Sequence, residues 1–261
     1  MAEKNKDGAQ SLRDWEASGE GGRAERRYSF ADYVEIIRRL RAPDGCPWDR
    51  EQTHDSLRPC IVEETAELLA AVRILDKTGN PENLREELGD ILLQVLMHAQ
   101  IAAEDGQFTI DDVVNEAAHK MVYRHPHVFG QVEAASSDEV LANWDELKKK
   151  EKEGKTWVQG PLRDIPQELS ALARAQKTLK KVHKLYDKEA GGLYADVARL
   201  AALTEDLKEV DAADTDAHVA DVLGEMAMAL ADIAREKKLS LEEIVRDKTD
   251  ALVEKYEPQG K

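Results

Sequence analysis

The sequence has few cysteines, few aromatic residues and no long apolar run. Its two cysteines, Cys46 and Cys60, are too few to staple a chain of 261 residues, and their spacing fits neither a CxxC pair nor a disulfide framework. We therefore expect a cytoplasmic protein. No apolar stretch approaches the ~20 residues that a membrane-spanning helix needs, and the N-terminus lacks an apolar signal core, so no membrane partner is expected.

Basic charge is also scarce. The chain has 53 acidic and 37 basic side chains, which gives a formal net charge of -16. This excess argues against an electrostatic hold on nucleic acid or on an anionic membrane. A phosphorylated substrate would need the help of metal ions or of a local basic cluster.

The pattern of apolar residues is helical almost throughout. Residues 1–27 contain almost no aliphatic side chains and are predicted to form a disordered tail. From Tyr28 onwards apolar residues recur at helical spacing, and β-branched residues are sparse, which favours an all-α fold. After a first helix, further helices are predicted over 57–76, 81–104, 109–124 and 136–153.

Prolines and glycines mark the breaks between these helices. The segment Arg41–Thr53 contains two prolines and a glycine and is predicted to be an ordered loop anchored by Trp48. Pro126 should end the helix over 109–124, because a residue before proline is pushed out of the α region.

Part of the first helical block is repeated later in the chain. Residues 205–209 (EDLKE) echo residues 63–67 (EETAE), and residues 223–225 (LGE) echo residues 88–90 (LGD). We therefore expect two related modules, over 28–153 and 166–261, joined by a linker over 154–165.

Two predicted helices carry acidic residues beside an apolar face. At about 100° per residue, the two faces consist of Ile61, Thr65, Leu68, Val72 and Leu75, and of Leu84, Leu88, Ile91 and Val95. Glu64 and Glu67 flank the first face, and Glu63 points away from it. Glu87 and Asp90 flank the second.

These flanking carboxylates are level with one another if the two helices form an antiparallel hairpin. The numbers of Glu64 and Asp90, like those of Glu67 and Glu87, add to 154, which centres the turn on the breaker segment Lys77–Pro81. Facing carboxylates repel or take up protons unless a cation neutralises them. Oxygen ligands without Cys or His suit Mg²⁺ or Mn²⁺ rather than zinc.

A solvated surface is the alternative interpretation of these acids. Glu and Asp at i,i+3 are common on exposed helices, and this chain is rich in both. The level pairing on two matching edges favours the metal site.

Two pairs at i,i+4 spacing are candidates for nucleotide contacts. Lys120 and Arg124 share a helix face and form a potential phosphate clamp, although favourable charge at a helix C-terminus would also explain them. Trp144 and Lys148 have the same spacing. The indole is suited to stacking on a base, although packing in an amphipathic helix is the plainer role for a tryptophan.

The ordered series of motifs resembles a known family. GCPWDREQT, EETAE, EELGD, KMVYRHPHVFG and NWDELKKKE together resemble the MazG-type nucleoside triphosphate pyrophosphohydrolases, over about Phe30 to Tyr256. The resemblance implies tandem all-α modules with a site of the four-helix-bundle type, a homodimer, and Mg²⁺-dependent hydrolysis of nucleoside triphosphates to monophosphate and pyrophosphate.

The resemblance also implies roles for individual residues. Matching positions make Glu64, Glu67, Glu87 and Asp90 metal ligands, Lys120 and Arg124 phosphate contacts, and Trp144 and Lys148 nucleotide contacts. The general base is either Glu63 or one of the ligand carboxylates.

Other functions remain open at this stage. A related all-α pyrophosphohydrolase of narrower specificity and a non-enzymatic helical regulatory partner both fit the pattern. A di-iron bundle fits less well, because each acidic pair would be expected to include a Glu-x-x-His.

The second module is expected to be catalytically silent. Position 222 is valine where the first module has Glu87, which leaves Asp206, Glu209 and Glu225 as the matching acids. It also has no tryptophan and no matching basic pair. We expect it to serve packing or assembly.

Overall fold

The computed structural model describes residues 27–130, 136, 140, 144, 147–148, 150–151, 153–186, 192–209 and 216–257. The regular secondary structure of these residues is helical, and no strand occurs among them. The chain divides into two compact units, Met1–Lys149 and Lys150–Lys261. The all-α class predicted from the sequence is confirmed.

The first helix, α1 (Phe30–Leu40), begins at a capping box. The Ser29 hydroxyl accepts a hydrogen bond from the Asp32 backbone N–H, and the Asp32 carboxylate accepts one from the Ser29 N–H at 2.8 Å. The amphipathic pattern that follows turns Ile37 into the core, where only 2% of the residue is exposed. The cap therefore sets both the start and the orientation of α1.

The loop predicted over Arg41–Thr53 contains a short helix, α2 (Pro47–Glu51). Arg41 holds this loop in place, since its guanidinium donates to two backbone carbonyls of the loop and to the carboxylate of Glu104. The prediction that Trp48 anchors the loop is wrong, because this residue is 60% exposed. The loop is therefore anchored by the charged side chain of Arg41 and not by the aromatic side chain of Trp48.

Helices α3 (Arg58–Thr78) and α4 (Glu82–Glu104) form the hairpin predicted from the sequence. Gly79 ends α3 in the left-handed conformation, with φ of 71°, and its N–H bonds to the Leu75 carbonyl at 2.7 Å. The core of this unit consists of Ile37, Leu57, Leu96, Met97 and Ile101.

The predicted buried side of α4 is wrong in detail. Leu88 and Val95 were expected to lie in the apolar face, yet they are 53% and 41% exposed. Glu87 and Gln94 are buried instead, at 9% and 7% exposure. The helix thus places polar side chains against its own unit and leaves apolar ones on the surface.

Helix α5 (Ile110–Arg124) begins at a second capping box, formed by Thr109 and Asp112. It ends where the sequence predicted, and Pro126 opens the short helix α6 (Pro126–Phe129) as its first residue.

The second unit contains four described helices, α7 (Ala171–Leu185), α8 (Gly192–Glu209), α9 (Asp216–Glu236) and α10 (Leu241–Tyr256). Helix α9 packs against α7, α8 and α10. The core of the second unit consists of Ala231, Ala234 and Leu241, with Leu172, Ala175 and Leu179 packed against them.

Several predictions fall outside the described residues. The predicted tail over 1–27 lies there except for its last residue, and so does much of the predicted helix over 136–153, although Val140, Trp144 and Leu147 are helical. The described helices include none that is long and apolar enough to span a bilayer. The module boundaries stay predictions.

Candidate active site

The α3–α4 hairpin brings three of the predicted ligands together. Glu64 of α3 and Glu87 and Asp90 of α4 each offer a carboxylate oxygen, and these oxygens all lie within 4.8 Å of one another. No basic side chain among the described residues forms an ion pair with any of the three. Such a group can hold a metal ion, because hard oxygen donors are concentrated without a balancing charge.

Glu87 is the most buried member of this group. Only 9% of the residue is exposed, and the Asn83 Nδ2 atom donates to its Oε1 at 2.8 Å. Asn83 lies one helical turn earlier on α4, so the helix itself fixes the carboxylate. A buried acid held by a neutral donor keeps its charge available to a cation.

The charges of the group act on Glu64. Burial raises the pKa of the Glu64 carboxyl, and the negative charges of Asp90, Glu67, Glu87 and Glu63 raise it further. A cation reverses this effect, since it favours the ionised form.

The remaining predicted acids lie beside the group rather than in it. Glu67 is exposed and does not belong to the set of mutually close oxygens, although its charge acts on Glu64. Glu63 is also exposed. Their predicted roles as ligand and base stay predictions.

Tyr33 of α1 is a neighbour of the site that the sequence did not reveal. Burial raises the pKa of its phenol, and the charge of Asp90 raises it further. Tyr33 also packs on the core that contains Ile37 and Met97. It was missed because its apolar spacing placed it in the core and gave no sign of an acid nearby.

Of the four predicted basic and aromatic residues, Arg124 and Trp144 lie together. The Arg124 guanidinium lies 5.6 Å from the centroid of the Trp144 ring, and the His125 ring meets the same indole edge-on at 5.0 Å. Lys120 pairs with Glu116 on its own helix at 3.3 Å. Lys148 is exposed. The structure thus brings Arg124 and Trp144 together, and the predicted nucleotide contacts of all four residues stay predictions.

A pair of histidines was also missed. His54, in the segment before α3, meets His98 of α4 edge to edge, with the ring centroids 4.9 Å apart and the two Nδ1 atoms 2.6 Å apart. The two residues are 44 positions apart, so no local spacing could have linked them.

The second unit contains no comparable group of acids among its described residues. Val222 is buried at 3% exposure in the position that matches Glu87. Glu225 forms an ion pair with Arg199, and Asp206 lies 3.7 Å from His218. Two of the three acids that matched metal ligands in sequence thus lie beside a basic side chain.

Comparison with known proteins identifies the domain that contains the three carboxylates. The model of the MazG nucleotide pyrophosphohydrolase domain matches residues 52–129, which include the three carboxylates. The nucleoside triphosphate pyrophosphohydrolase/pyrophosphatase MazG of Thermotoga maritima is 36% identical over 203 residues, which are 77% of this chain and 73% of that protein. The chain belongs to the MazG family.

Two further relatives match more than half of this chain. The nucleoside triphosphate pyrophosphohydrolase of Escherichia coli is 45% identical over 56% of this chain, and the uncharacterized protein YabN of Bacillus subtilis is 48% identical over 59%. The matched regions span 54% and 30% of those two proteins. The MazG domain of this chain is thus a hydrolase domain, and it contains the close group of acids.

Proposed function

We propose that this chain hydrolyses nucleoside triphosphates to nucleoside monophosphate and pyrophosphate, with Mg²⁺ held at the first unit. The observation that carries the proposal is the convergence of Glu64, Glu87 and Asp90 within 4.8 Å inside the matched MazG domain. Mn²⁺ is the alternative ion, because its preference for oxygen ligands is similar.

The carboxylate group fits a divalent cation on its own chemistry. A buried acid and two half-buried acids with no basic partner among the described residues repel one another. This repulsion adds to the burial that raises the pKa of Glu64. A bound cation would neutralise them, polarise a phosphate oxygen and make a bound water more acidic. We keep Glu67 as a further ligand in this proposal.

The protein side chains have separate tasks in the reaction. Glu63 or one of the ligand carboxylates takes the proton of the water that attacks the α-phosphorus. The bond from that phosphorus to the bridging oxygen breaks, and pyrophosphate leaves. Lys120 and Arg124 stabilise the charge that develops on the departing phosphates. Trp144 and Lys148 hold the nucleoside end.

The partner expected from the family is a second copy of the chain. Helices α3 and α4 expose several large apolar side chains, namely Val62, Leu69, Val72, Ile74, Leu88 and Val95. Such a concentration of apolar surface supports a homodimer. Light scattering of the purified chain would test this, and a monomer at micromolar concentration would contradict it.

Both cysteines are unpaired, which supports the expected cytoplasmic location.

The decisive experiment uses a panel of canonical and damaged nucleoside triphosphates in ¹⁸O-labelled water. Attack at the α-phosphorus places the label in the monophosphate, whereas attack at the β-phosphorus places it in pyrophosphate. Turnover of one nucleotide alone would favour the narrow-specificity alternative. Absence of turnover with bound Mg²⁺ would favour a regulatory protein.

A further inference from the structure

Helix α4 carries a continuous polar stripe on its buried side. Its members follow one another at spacings of three or four residues, so they share one face of the helix. They are Asn83, Glu87, Asp90, Gln94 and His98. Two apolar residues of the same helix, Leu88 and Val95, are 53% and 41% exposed, whereas Glu87 and Gln94 are buried. Burying these polar side chains costs free energy unless each of them has a hydrogen-bond or ion-pair partner.

Four members of the stripe have such a partner or role. Asn83 donates to Glu87, and Glu87 and Asp90 belong to the carboxylate group. His98 meets His54. These contacts leave two enclosed atoms of the stripe without a partner, the Oε1 atom of Gln94 and the Nε2 atom of His98. Among the five residues, Gln94 alone makes none of these contacts through any of its side-chain atoms.

Gln94 is buried without a partner. Only 7% of the residue is exposed, and its Oε1 atom is fully enclosed and accepts no hydrogen bond. No described side chain or backbone group bonds to its amide nitrogen. An apolar residue of equal length, such as methionine, would avoid the cost of enclosing an unpaired amide. A buried amide of this kind needs a partner that the free protein does not supply.

The position of Gln94 identifies the partner. It follows Asp90 by four residues, which places the two side chains one above the other with Cβ atoms about 6 Å apart. Its side chain therefore begins one helical turn from Asp90, on the helix face that carries the carboxylate group proposed to bind the phosphates. The part of a nucleotide next to the α-phosphate is the sugar, whose hydroxyls both donate and accept, as a glutamine amide does.

We propose that Gln94 is a specificity residue that hydrogen-bonds a sugar hydroxyl of the nucleoside triphosphate. The inference rests on the proposed function, because it requires a nucleotide at the carboxylate group. It adds a residue that neither the motifs nor the acidic pattern of the sequence assigned. The sugar hydroxyl supplies the hydrogen-bond partner that the Gln94 amide lacks in the free protein, so this bond forms only when the nucleotide is bound.

The test combines Gln94→Met with substrates that lack a hydroxyl. We expect the free Gln94→Met protein to melt at or above the wild-type temperature, because the unpaired amide is gone. Its kcat/KM for a ribonucleoside triphosphate should fall about tenfold, the value of one hydrogen bond. For the 2′-deoxy or the 3′-deoxy analogue, whichever lacks the bonded hydroxyl, wild type and variant should differ less than twofold.

Gln100→Met is the matched control. Gln100 lies on the same helix, but its amide donates to Glu104 at 2.9 Å and stands away from the carboxylate group. This variant should keep its kcat/KM for every substrate.

Three results would overturn the proposal. A lower melting temperature for Gln94→Met, with equal losses on all substrates, would show that the amide is structural. Unchanged kcat/KM on all substrates would show that it makes no contact. A wild-type chain without any turnover would contradict the proposed function as well. An active wild type whose loss of kcat/KM in Gln94→Met is the same for ribo- and deoxynucleotides would contradict only the role of Gln94.

Discussion

The Nδ1 atoms of His54 and His98 lie 2.6 Å apart, and the planes of the two rings differ by 6°. One Nδ1 must carry the proton and the other must accept it, so the two rings cannot both be fully protonated while this bond lasts. Burial lowers the pKa of His98, and the neighbouring His54 lowers it further. The Nε2 atom of His98 is enclosed without a partner, which disfavours its charge as well.

We predict that this pair makes the first unit less stable in mild acid. The pKa of His98 is depressed in the folded chain, so the unfolded chain binds more protons as the pH falls. The stabilisation is fully present above the ordinary value of 6.5 and is lost as the pH drops below it towards the folded pKa. Melting temperatures between about pH 8 and about pH 5 should show this decline.

The matched variant is His98→Gln, which can still bond to His54 but does not titrate. It should weaken the decline below pH 6.5. An unchanged slope would mean that other groups cause the acid sensitivity.

We predict that Glu87→Gln keeps the fold and removes nearly all turnover. The amide oxygen can still accept the bond from Asn83, and one of three mutually repelling charges is lost, so the metal-free variant should be at least as stable as wild type. Millimolar Mg²⁺ should raise the melting temperature of wild type but not of the variant, because binding to the folded state alone stabilises it.

The measurement pairs thermal melting with pyrophosphate release, with and without a chelator. A folded variant that retains more than roughly a tenth of the wild-type rate would show that Glu87 is not a ligand.

The position of these acids was predictable because hairpin geometry is simple. The numbering of Glu64 and Asp90 and the breaker at Gly79 sufficed to place two acids level with each other. The burial of Glu87 was not predictable, because a helical wheel takes apolar residues as the buried ones, and Leu88 stays exposed in the single chain. The contact between His54 and His98 was not predictable either, because residues far apart in the sequence show no regular spacing.

We predict that Arg124→Ala raises KM and lowers turnover, whereas Lys184→Ala changes neither. The Arg124 guanidinium lies over the Trp144 ring, so its loss should remove the proposed phosphate contact and a neighbour of the indole. Lys184 lies on α7 in the second unit. Steady-state measurement of KM and kcat for both variants would test this. Equal effects of the two substitutions would show that overall positive charge, and not the position of Arg124, determines these values.

We predict that changing Asp206, Glu209 and Glu225 together to Ala leaves turnover intact. Glu225 is already paired with Arg199, and Val222 occupies the position of a ligand. The variant should lose some stability through the lost ion pairs, by about 1 kcal/mol or less for each exposed pair. A folded dimeric variant as inactive as Glu87→Gln would place catalysis in the second unit.

We predict that Arg41→Ala destabilises the first unit by about 3 kcal/mol, because it leaves carbonyls and Glu104 without their buried donor. The Arg41 side chain is only 6% exposed. Arg39→Ala is the control, since the pair that Arg39 forms with Asp44 is half exposed and should contribute less than about 1 kcal/mol. Urea unfolding of both variants would measure the difference, and equal losses would contradict the anchoring role of Arg41.

The bond from Asn83 to Glu87 also bears on which ions the site accepts. One oxygen of the Glu87 carboxylate is occupied by the amide, which favours binding of a metal through the other oxygen alone. A Glu87 carboxylate that donates one oxygen leaves more of the coordination sphere to water and phosphate. A small six-coordinate ion that keeps several waters suits this arrangement, whereas a larger ion such as Ca²⁺, which commonly takes both oxygens of a carboxylate, is left short of donors.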